Sequence, residues 1–160
     1  MASYIPNLSR DNISYYLIPA AWAIAVAPRF WAASTYNSIT SKDFNALQPR
    51  DFTKQVLEDQ SLDSKTKNRI IRAEAAQFNN FETLGLFAAA VTAGNTARLD
   101  ATTLNGLSLG YLAARFIYNH IYIYNDLVPS QVRTLSYFSC LGMCFGLFIS
   151  AGNKLKSSIL

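Results

Sequence analysis

The uneven distribution of charged residues restricts the fold of this chain more than any other feature of its sequence. Charged residues make up 15% of the 160 residues and hydrophobic ones 51%, whereas about a quarter of the residues in average soluble chains are charged. Many of the charges lie between residues 42 and 72, and residues 134–153 contain none. Long apolar segments are typical of a polytopic membrane protein, because crossing the hydrocarbon core takes about 20 apolar residues.

Four apolar segments predict an all-α fold, an integral membrane four-helix bundle formed by one domain over residues 1–160. The expected helices occupy approximately residues 13–34, 68–94, 101–125 and 130–153. Pro19 and Pro28 are expected to kink or end the first helix, which membrane helices tolerate when neighbours satisfy the freed carbonyls. The region before this helix is almost neutral, which favours a retained helix over a cleaved signal peptide.

The polar loop at residues 35–67 indicates the orientation in the membrane. Lysine and arginine residues are more frequent in and next to this loop than near the termini and in the next loop. The positive-inside rule therefore places the loop in the cytosol and both termini on the other side of the membrane. An amphipathic section near residues 52–57 predicts a short helix on the membrane surface.

The net charge of +4 does not indicate a nucleic-acid partner, since no basic stripe with interleaved aromatics is present.

Cysteines and glycines in the last two helices indicate close packing. Cys140 and Cys144 lie four residues apart on one helical face, a spacing that suits buried packing thiols rather than a disulfide framework or a metal site. Glycines at four-residue spacing let membrane helices approach closely. Here they are Gly106, Gly110, Gly142 and Gly146. The spacing fits either a contact between copies of the chain or tight packing within one subunit.

Polar side chains inside the apolar segments are the candidates for a functional site, because an ionisable residue facing lipid costs about 3 kcal/mol. They are, on one face of the second helix, Arg72, Asn79 and Glu82; on one face of the third, Arg115, Tyr118 and Tyr122; and at the start of the fourth, Arg133. A pocket lined by these residues suits a small zwitterion, whose carboxylates bind the arginines and whose amine binds Glu82. The alternative is an internal salt-bridge network in which Glu82 pairs with Arg115 or Arg72.

Two further polar residues have simpler interpretations. Arg29, near the end of the first helix, is expected either to snorkel to the membrane surface or to face inward, and snorkelling is the favoured interpretation. His120 lies one position out of line with the tyrosines of the third helix. A lone histidine among aromatics is more often structural than catalytic.

Three segments resemble the MAPEG family, the membrane-associated proteins of eicosanoid and glutathione metabolism. They read RAEAAQFNNFETLGLFAAAV, ARFIYNHIYIYN and VPSQVRTLSYFSCLGMCFGLFI. The resemblance covers roughly residues 69–149 and rests on the order of these motifs on three successive apolar helices. The leading PAAWAIAVAPRF and QPRDF segments are similar to a fungal branch resembling microsomal glutathione transferases.

The resemblance implies a homotrimer in the endoplasmic reticulum or a similar membrane, with glutathione bound between subunits near the cytosolic face. Arg133 matches the arginine that activates the glutathione thiol, and Arg133 and Tyr118 are the expected catalytic residues. The expected glutathione contacts are Arg72, Asn79, Glu82, Tyr118 and Tyr122 by motif, with Arg115 added by its place on the third helix.

Two positions depart from the family pattern. Ala75 stands where many members have a second arginine, and Thr83 where an aromatic or amide residue often follows the glutamate. These departures remove one carboxylate contact and one side wall of the expected pocket.

Three functions are compatible with these residues. The first is a glutathione transferase or peroxidase that acts on a lipophilic electrophile in the bilayer. The second is a glutathione-independent isomerase or cyclase of a lipophilic intermediate, with tyrosine and arginine as proton donors. The third is a non-catalytic lipid-presenting scaffold, which the retention of Arg133 and Tyr118 disfavours.

Overall fold

Five α-helices form the part of the chain that the structure, a computed structural model, describes: residues 6–42, 44–45, 47–126 and 129–159. The helices are α1 (Leu17–Thr40), α2 (Phe52–Glu58), α3 (Ser64–Thr96), α4 (Ala101–Ile123) and α5 (Ser130–Ile159). No strand occurs in the described ranges, and the prediction of an all-α fold is confirmed. The predicted domain also includes residues 1–5, 43, 46, 127–128 and 160, which lie outside the described residues.

Side-chain caps fix where two of the helices begin. The Asp63 carboxylate accepts hydrogen bonds from two backbone N–H groups of the first turn, so α3 begins at Ser64, before the predicted residue 68. Asp100 caps α4 in the same way through the N–H of Thr103, as its position in the sequence predicts. Helix α1 runs to Thr40, beyond its predicted end near residue 34.

Pro28 lies inside α1 without ending it. Since proline has no N–H, the carbonyl of Ile24 loses its partner within the helix. The Asn119 amide of α4 donates to this carbonyl at 3.0 Å, and the Asn80 amide of α3 donates to the neighbouring Ala25 carbonyl at 3.5 Å. Neighbouring helices therefore compensate for the proline, as membrane helices require.

Helix α2 forms over the predicted amphipathic section, but its apolar face packs on the protein. Phe52 and Val56 are buried and share a hydrophobic cluster with Tyr36 of α1 and Ile70 of α3. The rings of Phe52 and Tyr36 meet edge to face, with centroids 5.4 Å apart. The expectation that this face lies on the membrane surface is wrong, because the chain after α1 folds back onto the long helices.

A second hydrophobic cluster holds α1, α3, α4 and α5 together. In it, the rings of Phe87 and Tyr111 stack with centroids 4.0 Å apart. Cys140 and Cys144 are buried in the same cluster as free thiols. They pack in the core, as the sequence predicts.

The four spaced glycines differ in how closely the other helix approaches them. A Cβ on Gly110 would lie 2.9 Å from the sulfur of Met143, and one on Gly146 would lie 3.4 Å from a leucine of α4. Gly110 therefore lies in close contact with α5 within the subunit, whereas a Cβ on Gly146 would make only an ordinary van der Waals contact. At Gly106 and Gly142 no atom of another described element lies within 4 Å of such a Cβ, so this packing does not require them to be glycine.

Two segments, Ser14–Thr40 and Gln131–Ser157, are long and apolar enough to cross a membrane. Helix α3 has 33 residues and is about 50 Å long. Helices α3 and α4 carry buried polar side chains, among them Asn80 and Arg115. These buried polar side chains lie inside the protein, close to the candidate site.

Candidate functional site

A polar pocket of about 260 Å³ opens between α3, α4 and the start of α5. Its lining consists of Asn79, Tyr118, Tyr122, Arg133, Thr134 and Tyr137. Helical spacing predicts the first four as pocket residues, and the structure brings these four together.

The centre of the pocket wall is the pair formed by Asn79 and Tyr118. The Asn79 amide donates a hydrogen bond to the Tyr118 hydroxyl at 2.7 Å. Because this hydroxyl oxygen accepts from Asn79, its own proton remains available for a ligand. The rings of Tyr122 and Tyr137 pack against Tyr118 with centroid distances of 5.4 and 6.0 Å. The phenol is therefore fixed in the wall as a hydrogen-bond donor.

Arg133 brings a positive charge into the pocket. Its guanidinium carbon lies 5.0 Å from the ring centroid of Tyr122. Within the described ranges no carboxylate forms an ion pair with Arg133. The residue lies in the first turn of α5, where the helix dipole adds to the positive potential. This corner of the pocket is suited to an anionic group.

Arg115 lies behind the pocket rather than in its lining. The residue is only 2% exposed, and one guanidinium nitrogen donates to the side-chain oxygen of Asn80 at 3.3 Å. The guanidinium carbon is 5.1 Å from the ring centroid of Tyr118 and 5.2 Å from that of Tyr137. Arg115 supports the Tyr118 ring from behind and holds a positive charge near the pocket.

Arg72 is held at the end of α4, outside the pocket lining. Its guanidinium donates to the Ile123 carbonyl and to the Asp126 carboxylate, each at 3.0 Å. Arg69 donates to the same carboxylate at 2.9 Å, and this hydrogen bond lowers the pKa of Asp126 below its ordinary value. Arg72 thus pairs with Asp126. The salt-bridge alternative, in which Glu82 pairs with Arg72, is wrong on this point.

Glu82 is a predicted site residue that lies outside the polar pocket. Its side chain is exposed and does not line the pocket, and none of the residues that the structure describes forms an ion pair with it. The adjacent Thr83 is buried, with its hydroxyl 3.1 Å from the Tyr111 hydroxyl, so it is not part of the pocket wall either.

A buried ion pair between Arg29 of α1 and Glu74 of α3 is absent from the sequence-based prediction. The two side chains are 17% and 6% exposed, and Arg29 also donates to the Pro49 carbonyl at 2.7 Å. Two phenylalanine rings pack against the same guanidinium. Arg29 therefore faces the protein and does not snorkel. In the sequence, Glu74 is a second carboxylate in this helix besides Glu82, and it could have indicated an ion pair.

The all-helical fold, with two apolar helices of membrane-crossing length and a polar pocket between three helices, fits the class of integral membrane proteins. The chain belongs to the MAPEG family, whose family model matches residues 14–153. This family includes glutathione transferases and isomerases. Comparison with curated proteins and with solved structures gives no match.

Proposed function

We propose that the protein is a membrane-bound, glutathione-dependent transferase or peroxidase that acts on a lipophilic electrophile. One observation carries the proposal: in a MAPEG chain, the Arg133 guanidinium shares a pocket with the Tyr118 hydroxyl and the Asn79 amide. A cation and a hydroxyl donor side by side are the groups that stabilise a thiolate. Arg133 and Tyr118 are the catalytic residues in this proposal.

The residues present fit glutathione, whose charged groups are two carboxylates and one ammonium. Arg133 and Tyr118 would hold the sulfur, while Asn79 and Tyr122 offer further polar contacts in the same pocket. Arg115 strengthens the positive potential from behind, and Arg72 and Glu82 would bind the carboxylate and ammonium groups at the periphery. Arg72 has to share its guanidinium with Asp126 in that case.

Activation of the thiol is the chemical task of the pocket. Glutathione supplies a thiol nucleophile when bound, and a free thiol with a pKa of about 8.5 is only about 3% ionised at pH 7. Lowering that pKa to about 6.5 corresponds to about 2.7 kcal/mol of preference for the thiolate. The Arg133 guanidinium supplies the charge, and the Tyr118 hydroxyl, held by Asn79, donates a hydrogen bond to the sulfur.

The proposal includes a homotrimer in which all four long helices cross the endoplasmic reticulum or a similar membrane, with the pocket near the cytosolic face. Two observations support an assembly. The pocket of about 260 Å³ is smaller than the roughly 300–1,000 Å³ of ordinary ligand sites, so another wall is needed. The exposed Glu82 also requires a partner from outside the chain, since an unpaired carboxylate is costly in a membrane.

The test is glutathione binding to the detergent-solubilised protein, followed by calorimetry and by the ultraviolet absorbance of the thiolate. Wild-type protein is expected to bind glutathione and to show thiolate absorbance. Arg133→Ala should abolish the absorbance, because the positive charge is lost, and Glu82→Gln should weaken binding. Arg98→Ala is the matched control, since Arg98 is an exposed arginine in the turn between α3 and α4. The proposal fails if millimolar glutathione does not bind to the wild-type protein.

A glutathione-independent isomerase or cyclase is the second candidate, and the position of Arg72 favours it. Arg72 is occupied by the Ile123 carbonyl and Asp126, and Ala75 supplies no second guanidinium. Fewer cations are thus left for the carboxylates of glutathione, while Tyr118 remains a proton donor. Turnover of a lipophilic substrate that persists in the absence of glutathione and is lost in Tyr118→Phe would select this function.

A further inference from the structure

A second cavity lies between α1 and α4 and shares no residue with the polar pocket. It has a volume of about 420 Å³ and is lined almost entirely by apolar side chains. Ala23 and Phe116 line one end of this groove, and Trp31 and Tyr124 line the other. From Ala23 to Trp31 helix α1 rises about 12 Å, less than half of a hydrocarbon core of about 30 Å. The α1–α4 groove therefore fits within one leaflet of the bilayer.

Aromatic and polar groups mark one end of the α1–α4 groove. The rings of Trp31 and Tyr124 meet edge to face with centroids 6.1 Å apart. The exposed His120 packs against Tyr124 with a centroid distance of 4.9 Å and lines the same groove. Tryptophan, tyrosine and histidine combine an apolar body with a polar tip, which is the chemistry of the boundary between acyl chains and headgroups.

A basic cluster lies directly beyond this end. The guanidinium carbon of Arg69 is 4.8 Å from the Tyr124 ring centroid, and Lys65, Arg69 and Arg72 surround Asp126. Three cations and one anion leave a net charge of +2. Asp126 remains ionised at neutral pH because Arg69 lowers its pKa, so the net charge is not altered by protonation of this carboxylate.

From the groove and the cluster together, we propose that the protein binds one anionic phospholipid of the surrounding bilayer in a specific site. One acyl chain lies in the α1–α4 groove against Ala27 and Trp31. The glycerol ester region lies beside His120, and the headgroup phosphate meets Lys65 and Arg69. A zwitterionic lipid fills the groove equally well but gains less from a cluster of charge +2, and this charge complementarity identifies the occupant. The α1–α4 groove shares no residue with the polar pocket, and of the basic cluster only Arg72 is also a proposed glutathione contact.

Fluorescence of a single tryptophan tests the site directly. The chain has two tryptophans, of which Trp31 lines the groove and Trp22 is 52% exposed. Trp22→Phe protein in vesicles is titrated with phosphatidylserine or phosphatidylcholine carrying brominated acyl chains, which quench nearby tryptophans. Brominated phosphatidylserine should quench Trp31 at a severalfold lower mole fraction than brominated phosphatidylcholine.

Variants separate the headgroup contact from the acyl contact. One basic residue near the membrane surface raises the binding constant of an anionic lipid roughly fivefold. Arg69→Gln should therefore reduce the preference for phosphatidylserine over phosphatidylcholine about fivefold. Lys65→Gln, at a side chain that is 62% exposed, should act in the same direction without disturbing the fold. Ala27→Leu, at an exposed position of the groove, should remove the preference by filling the space.

Trp31→Phe protein is the matched control, because the remaining Trp22 should be quenched equally by both lipids. Equal quenching of Trp31 by both lipids would overturn the proposal and assign the groove to bulk lipid. A preference that survives Arg69→Gln and Lys65→Gln unchanged would also overturn it. Stronger quenching by a brominated free fatty acid than by brominated phosphatidylserine would assign the groove to a different ligand.

Discussion

At the scale of single residues, the structure contrasts two ion pairs in very different surroundings. Arg29 and Glu74 are largely buried, whereas Lys54 and Glu58 of α2 are 75% and 68% exposed, with their charged atoms 3.9 Å apart. Removing one partner of a buried pair leaves a charge without compensation in a poor solvent. An exposed pair loses little, because water replaces the lost contact.

Glu74→Ala is therefore expected to lower the free energy of unfolding by about 3 kcal/mol. Glu58→Ala, the matched control, should change it by no more than about 0.5 kcal/mol. Thermal unfolding in detergent, followed by circular dichroism, measures both. The double variant Arg29→Met with Glu74→Leu should recover most of the loss, because no buried charge is left unpaired. Equal effects of the two single substitutions would show that burial of the pair is unimportant.

The sequence predicts pocket residues well where one helix brings them together. Tyr118 and Tyr122 are one turn apart, so the backbone alone places them side by side. The ion pair between Arg29 and Glu74 joins two helices, and its prediction requires their relative height and rotation, which the spacing within each helix does not contain. Glu82 shows the same limit, since the angular estimate did not separate the inner and outer faces of α3.

At the scale of elements, α1 depends on α3 and α4 for its continuity. The Asn119 side chain donates to the Ile24 carbonyl that Pro28 leaves free, and it accepts from the Asn80 amide at 2.7 Å. Asn119→Ala removes both bonds at once. Each buried polar group left unsatisfied costs about 1–3 kcal/mol, so the variant is expected to lose about 2–6 kcal/mol of stability.

Asn153→Ala is the control for Asn119→Ala, because Asn153 is exposed near the end of α5. Both variants can be compared by thermal unfolding in detergent. Hydrogen exchange of the α1 backbone should increase near residue 24 in Asn119→Ala only. Unchanged exchange in that region would contradict a role for Asn119 in holding α1.

The segment after α1 is fastened by Asp59, which makes its attachment dependent on pH. The Lys42 ammonium donates to this carboxylate at 2.7 Å and the Tyr36 hydroxyl at 2.8 Å. Hydrogen bonds from Lys42 first, and then from Ser61 and Tyr36, hold the pKa of Asp59 far below its ordinary value. In the unfolded chain an aspartate titrates near pH 3.9.

A lowered pKa in the folded state stabilises the protein above about pH 4, and this contribution is lost as the pH falls through the folded-state pKa. Wild-type protein is expected to be more stable than Asp59→Asn at pH 7, with a difference that shrinks below about pH 4. Unfolding curves at pH 7 and at several pH values below 4 measure the difference. A difference that does not vary with pH would show that the charge of Asp59 contributes nothing.

The elements themselves are predicted better than their ends. Apolar runs reveal the long helices, and Asp100 marks the start of α4 because its side chain caps the helix locally. The extension of α1 past Pro28 depends on Asn119, which lies 95 residues beyond Ile24. Likewise, the buried face of α2 depends on contacts with Tyr36 and Ile70, so an amphipathic pattern alone did not distinguish a membrane surface from a protein surface.

At the scale of the whole molecule, the outward face of α3 is the expected contact between the subunits of the proposed trimer. Glu82 and Gly85 are exposed there, and among the described residues outside α3 no atom lies within 4 Å of a Cβ built on Gly85. Gly85→Leu should therefore leave the subunit folded but weaken the trimer. Gly152→Leu is the control at an equally open position near the end of α5.

Light scattering of the solubilised protein gives the oligomeric mass. Wild type and Gly152→Leu are expected to be trimers, and Gly85→Leu should shift toward monomers while keeping its helical circular dichroism. A stable trimer of Gly85→Leu would place the contact elsewhere and leave Glu82 without its expected partner.

The Ile24 carbonyl, which Pro28 leaves without a partner inside α1, also affects the biosynthesis of the protein. Ile24 and Asn119 are 95 residues apart, and at about 5–20 residues per second the ribosome takes roughly 5–20 s to synthesise the chain between them. During this interval the side chain that completes the hydrogen bonding of α1 has not been synthesised. Until α4 is in place, the Ile24 carbonyl needs another hydrogen-bond donor, such as water. Substitutions at Asn119 should therefore reduce the yield of assembled protein.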